Sequence, residues 1–223
     1  MQNNLCNNRK TICRLFRKID DLSKMNKLQI DNESIHYITP KEKSSLISFI
    51  ILIHLSKLKI NTNNISITDT MACVGGDTIS FAYVFKKVIA IEINKDRVKY
   101  LTNNINVYKL KNVDIFNDDC LKILYNIPKH NVVFIDPPWG GSGYKEHKNL
   151  TLKISNEPLE KICNNIMNEK MMTCTPELIV LKLPKNYFLQ KICDEVNSTK
   201  IWKHEMDNMN IIVIINTTKL NKI

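Results

Sequence analysis

The chain has 223 residues, 43% of them hydrophobic, and a formal net charge of +10, enough for one domain with a substantial core and a charge balance that favours a polyanionic partner such as nucleic acid. Its longest apolar run, residues 46–55, is interrupted by Ser48 and His54 and is too short to cross a bilayer. The seven scattered cysteines contain no Cys-x-x-Cys and the five histidines no His-Glu-x-x-His, so neither a disulfide framework nor a structural metal is supported.

The first ten residues are polar and do not read as a signal peptide. Residues 9–37 form a basic-apolar segment that predicts one or two short helices appended to the main domain. Thr39, Pro40 and Glu42 then read as an N-cap, a first helical position and the far end of a capping box, opening a helix that runs to about Leu58. From Ile65 the pattern alternates. Strands are predicted at residues 65–69, 88–93, 113–116, 132–135 and 178–183, with helices at 78–85, 96–107, 121–125, 158–169 and 187–196. Residues 202–206 and 211–215 close the chain as an antiparallel pair. Such alternation predicts an α/β fold, a doubly wound and mostly parallel sheet, divided into a helical extension at 1–38 and a Rossmann-like domain at 39–223.

The chemistry gathers at strand ends. Val132 to Ile135 reads as a strand buried on both faces; it stops at Asp136, because Pro137 and Pro138 cannot donate to a ladder. A carboxylate, two rigid prolines and the indole of Trp139 therefore fall at the carboxyl edge of the sheet, where open α/β sheets bind ligands. Asp-Pro-Pro-aromatic is the signature of enzymes that methylate exocyclic amino groups of nucleobases. Such an amine has a delocalised lone pair; an Asp oxygen and a fixed carbonyl accept its N–H bonds and aim that lone pair, while the aromatic ring stacks on the base. Three further acids, Asp69, Glu92 and Asp119, end or follow the first three strands, with Gly75 and Gly76 in the first turn. That set suits an adenosine cofactor without a pyrophosphate: Glu92 for the ribose hydroxyls, Asp69 for a methionine amino group, Asp119 for the adenine amino group, and glycines for close approach of the main chain.

With these residues in place the chain resembles the trimethylguanosine synthase family, cap-specific guanosine-N2 methyltransferases. The likeness runs from Arg14, Leu15 and Phe16 through Thr39-Pro40, Asp69, Val74-Gly75-Gly76, Glu92, Asp119 and Leu183-Pro184-Lys185. Its most specific part is Pro137-Pro138-Trp139-Gly140-Gly141 followed by Tyr144. The resemblance implies that Phe16, Thr39, Asp69, Gly75, Asp77, Glu92 and Asp119 surround S-adenosylmethionine. It implies that Asp136, Pro137 and Trp139 form the catalytic set, with Trp139 stacked on the methylated guanine. Tyr144 and Lys185, helped by Arg9 or Lys10, would meet the cap phosphates. 7-Methylguanine is cationic, which suits an indole face, and a triphosphate bridge suits Lys and Arg. Cys73 replaces a glycine usual in the family, and Asp136 stands where cellular members commonly carry Ser.

The resemblance further implies 7-methylguanosine-capped RNA as partner, no membrane, a monomer, and an intracellular place in nucleus or cytoplasm. The abundance of Asn, Ile and Lys fits an AT-rich genome, as in a large DNA virus or a protist. Two other readings compete: an amino-methyltransferase acting on adenine N6 or guanine N2 within DNA or RNA, and a non-catalytic cap- or RNA-binding module on the same fold.

Overall fold

The computed structural model describes residues 5, 6 and 8–220. The chain divides into two compact units, before and after the Cys120–Leu121 bond.

In the first unit, helix α1 (Arg9–Leu15) is capped by the Asn8 side chain, which accepts the Thr11 N–H at 3.2 Å. The short α2 (Leu22–Met25) starts in the same way at Asp21, and a single 3-10 turn follows at Ser34–His36. Helix α3 (Lys41–Lys57) corrects the predicted capping box. Its N-cap is Pro40, which has no side chain to offer, and Thr39 lies one residue too early. The Thr39 hydroxyl is buried and donates instead to the Asp77 carboxylate at 2.5 Å, a charge-assisted bond stronger than a cap to a backbone amide. Alternation then begins with β1 (Ser66–Asp69), α4 (Gly76–Ala82), β2 (Lys87–Ile91), α5 (Lys95–Val107) and β3 (Val113–Phe116), and α6 (Cys120–Leu124) starts on the unit's last residue. The strands are parallel in the order β3-β2-β1, with Ile67 opposite Val88 and Ala90 opposite Ile115.

The N-terminal segment is integral to this unit's core. Ile12, Leu15, Phe16, Met25, Leu28 and Ile30 are buried in one cluster with Val74, Ile79, Leu101 and Ile105. Fully buried Asn104 on α5 staples it down. Its amide donates to the carbonyls of Gln29 at 2.8 Å and Val74 at 2.9 Å, and its oxygen accepts the Gln29 N–H at 2.8 Å. One side chain thus ties the appended segment and the glycine turn to the same helix.

The second unit contains β4 (Val132–Ile135), the pair β5 (Lys153–Ile154) and β6 (Glu157–Pro158), α7 (Leu159–Ile166), β7 (Leu178–Pro184), α8 (Leu189–Glu195), β8 (Ile201–Glu205), β9 (Met209–Ile215) and α9 (Thr217–Leu220). Its sheet runs β4-β7-β9-β8, with β4 and β7 parallel and β9 antiparallel to both of its neighbours. Every residue of β4, β7 and β9 is buried, which accounts for their apolar character, broken by Lys182 in β7 and Asn210 in β9, whereas β8 at the edge is mostly exposed. The β5–β6 hairpin is absent from the sequence reading. It turns on Ser155 and Asn156, both at positive φ (48° and 69°), a type I′ geometry reached here without the glycine that normally advertises it.

Buried His130 precedes β4, and its Nε2–H donates to the Cys174 carbonyl at 2.7 Å. Burial is the main reason that its pKa falls from 6.5 to about 4. Between those values the unfolded chain takes a proton that the folded one refuses. Stability is therefore lost as pH falls through this window and is level above it, by up to about 3 kcal/mol. Urea unfolding of wild type and His130→Gln between pH 4 and 7 checks this: the difference in their unfolding free energies should shift across the window, and parallel curves refute it.

Candidate active site

In the first unit the acids fall where predicted. Asp69 ends β1, is buried, and accepts the Thr78 hydroxyl at 2.6 Å. Glu92 follows β2 and is also buried; its Oε2 accepts the Cys73 N–H at 2.9 Å and its Oε1 the Asn94 N–H at 2.8 Å. The loop after β1 and the turn into α5 are thus both tied to one carboxylate. Each Glu92 oxygen spends one lone pair on a backbone amide and keeps capacity to accept hydroxyl donors. Asp119 is half-buried, and its N–H donates to the Asp118 side chain at 2.7 Å. Asp77, in the first turn of α4, is buried and accepts hydroxyl bonds from Thr39 and Ser44. Phe16 caps α1 with its ring fully buried in the core cluster, while Arg9 and Lys10 are exposed on the first turn of α1.

The glycine turn is explained by packing. A Cβ on Gly75, at φ 100°, would come within 2.8 Å of Leu101; on Gly76 it would meet Ile38 at 2.6 Å and the Thr39 carbonyl at 2.9 Å. Cys73 holds the left-handed conformation (φ 50°) that a glycine would adopt without strain, at a cost of roughly 1–2 kcal/mol. Its thiol lies 3.4 Å from the Ser34 hydroxyl, and burial pushes its pKa up to about 11, so it stays a neutral thiol. Arg97, in the first turn of α5, braces this region through Glu33 at 2.7 Å and stands over the Tyr37 ring at 5.3 Å. The donor set of S-adenosylmethionine, two ribose hydroxyls and two amino groups, matches acceptor-only carboxylates at three successive strand ends. The residues fit the cofactor.

In the second unit Asp136 follows β4, with Pro137 buried and Pro138 exposed. The Asp136 Oδ2 accepts a bond from Lys182 Nζ at 2.5 Å; the Lys182 side chain is 5% exposed and that of Asp136 18%. Trp139 is half-buried. Its Nε1–H donates to the Lys182 carbonyl at 3.4 Å, and the Lys182 ammonium stands 5.6 Å from the ring centroid. Tyr144 meets the indole edge-on, centroids 5.2 Å apart at 74°. Gly140 and Gly141 carry the chain round at φ 93° and 71° into a 3-10 turn, Gly141–Glu146. That turn is clamped by Asn186, whose amide donates to the carbonyls of Tyr144 and His147, both at 2.6 Å. Lys185 is exposed and pairs with Glu205 at 3.6 Å.

Asp136, Trp139 and Tyr144 are therefore brought together, and Lys185 is joined to Tyr144 through its neighbour Asn186. Two residues of this half escaped sequence reasoning. Lys182 left a signal, a single charge inside an otherwise apolar strand. Asn186, directly after Leu183-Pro184-Lys185, left none.

Residues 64–220 match the model of a family described as RNA cap guanine-N2 methyltransferase. The chain is 34% identical to the uncharacterized protein L320 of Acanthamoeba polyphaga mimivirus, in an alignment covering 86% of this chain and 80% of that one. Among solved structures it is similar to precorrin-6y C5,15-methyltransferase from Geobacter metallireducens GS-15, with a TM-score of 0.53 at 17% identity, over 80% of this chain and 89% of that one. It is also similar to yhhF, a candidate methyltransferase from Escherichia coli, with a TM-score of 0.53 at 16% identity, over 76% and 84% of the two chains. At these identities the structural likeness establishes the fold, an α/β Rossmann-like methyltransferase fold, in line with the doubly wound sheet expected from strand–helix alternation and the methyltransferase fold implied by the resemblance.

Proposed function

The chain belongs to the RNA cap guanine-N2 methyltransferase family, whose members depend on S-adenosylmethionine, and from that premise we propose that it methylates N2 of 7-methylguanosine in an RNA cap. The product is 2,7-dimethylguanosine and, on a second transfer, 2,2,7-trimethylguanosine. The observation that carries this reading is the Asp136-Pro137-Pro138-Trp139 turn, a carboxylate at a strand end beside an indole braced on Tyr144.

S-Adenosylmethionine, when bound, would supply an electrophilic methyl group carried on a sulfonium, with the neutral thioether as the leaving group. Asp69, Glu92 and Asp119 hold the donors of that cofactor in the first unit. In the second, Trp139 stacks on the cationic base and fixes its plane. Asp136 accepts an N–H of the amino group, localises its lone pair and stabilises the positive charge that develops on nitrogen; the released proton passes to water. Lys185 meets the phosphates as a point charge, together with Tyr144.

The test is methyl transfer from labelled cofactor to GTP, 7-methyl-GMP, 7-methyl-GTP and single-stranded DNA. The 7-methyl nucleotides should be substrates and GTP a poor one, since a cation over an indole gains about 0.5–2 kcal/mol. 7-Methyl-GTP should exceed 7-methyl-GMP, and Lys185→Ala should narrow that gap. Equal rates on GTP and 7-methyl-GTP, or efficient methylation of DNA, would refute the cap reading.

A further inference from the structure

Lys182 is a buried charge of the second unit that the proposed chemistry leaves unused. It occupies the interior of β7, a strand whose seven residues are all buried, where an apolar side chain is the ordinary occupant. A lysine is almost never buried this deeply without a partner. Replacing a buried ion pair by apolar residues is often neutral or stabilising, so stability alone does not account for it. What distinguishes Lys182 is what it touches. Its ammonium holds Asp136 Oδ2 at 2.5 Å, and its carbonyl takes the indole N–H of Trp139. One residue bears on both groups assigned to the acceptor base.

We propose that Lys182 is a positioning residue of the acceptor half: its ammonium, held on Asp136 Oδ2, keeps that carboxylate charged and oriented to accept the N–H of the nucleobase amine. The inference rests on Asp136 as the ligand of that amine. A charged carboxylate only accepts hydrogen bonds, so it selects a reacting group that is itself a hydrogen-bond donor. Lys182 keeps its own proton throughout, and the proton released by the amine passes to water. Strand β9 offers Ile211 in register with Lys182. The loop after β4 offers Tyr144, against the indole, and Lys145, 6.0 Å from the Tyr144 ring. The turn after β7 offers Lys185, already paired with Glu205.

The experiment is the pH dependence of kcat/KM for 7-methyl-GTP in wild type, Lys182→Met, Lys182→Arg, Asp136→Asn and the Lys182→Met/Asp136→Asn pair. Without its counter-charge a largely buried carboxylate takes up a proton near neutral pH. Lys182→Met should therefore lose roughly tenfold or more at pH 7 and recover toward wild type by about pH 9. The loss should lie in kcat, with KM for the cofactor unchanged. Lys182→Arg should keep the wild-type profile, and adding Lys182→Met to Asp136→Asn should cost nothing further. Should Lys182→Met fail to fold, Lys182→Gln carries the same test, since it keeps a donor without the charge. A neutral variant with a profile parallel to wild type overturns the role of Lys182 while leaving Asp136 in place. Full activity of Asp136→Asn overturns the underlying assignment itself.

Discussion

Asp136→Ala is expected to lower kcat/KM for 7-methyl-GTP by about 10³-fold, the usual consequence of removing a preorganised group aimed at developing charge. Cofactor affinity, measured by calorimetry, should stay close to that of wild type, because the groups assigned to S-adenosylmethionine lie on the first unit at Asp69, Glu92 and Asp119. The substitution also strands the Lys182 ammonium in a buried position, and breaking such a pair costs roughly 3–5 kcal/mol of stability. Thermal unfolding must therefore accompany the kinetics. Asp136→Asn, which keeps the shape, should show the catalytic loss with the smaller loss of stability. A fall in cofactor affinity equal to the fall in activity would remove Asp136 from the acceptor site.

Trp139→Ala is the second large effect. Stacking of a base on an aromatic side chain contributes about 1–3 kcal/mol, and the cation–π component of 7-methylguanine adds about 0.5–2 kcal/mol. Together these predict a loss of roughly 10²-fold on 7-methyl-GTP. The loss on GTP should be smaller, because the neutral base has only the stacking to lose. The ratio of the two substrates should thus collapse toward unity in the alanine variant and survive in part in Trp139→Phe. Tyr144 leans edge-on against this indole, so its removal should loosen the ring and reproduce a fraction of the effect. Discrimination that persists in Trp139→Ala would place recognition of the N7 methyl elsewhere.

The fold was legible in the sequence because the decisive strands are buried on both faces. Residues 132–135 and 178–183 are unbroken apolar runs but for Lys182, and the observed β4 and β7 lie within a residue of them. Boundaries drifted where a strand or helix frays. Glu92 stands just past β2, and the helix expected over 158–169 ends at Ile166. The predicted capping box failed for a different reason. Thr39, Pro40 and Glu42 obey the local grammar of a helix start, but grammar has no view of Asp77, 38 residues away, which claims the hydroxyl.

The same distinction divides the site. By itself the sequence determined the class of chemistry. Pro137 and Pro138 cannot donate to a central ladder, so Asp136 had to fall at the end of β4, and Asp69 and Glu92 stand at the ends of neighbouring parallel strands. These are short-range consequences of backbone geometry, visible within a few residues. Only the tertiary structure decided which groups act together. The Lys182 ammonium reaches Asp136 across 46 residues because β4 and β7 are neighbours in parallel register, with Ile135 opposite Leu181. Asn186 holds the carbonyl of Tyr144 across 42 residues. Glu92 accepts the amide of Cys73 because β1 and β2 end side by side. Charge pairing and hydrogen bonding depend on distances of about 3 Å in space, and the sheet register that sets those distances is a property of the folded chain.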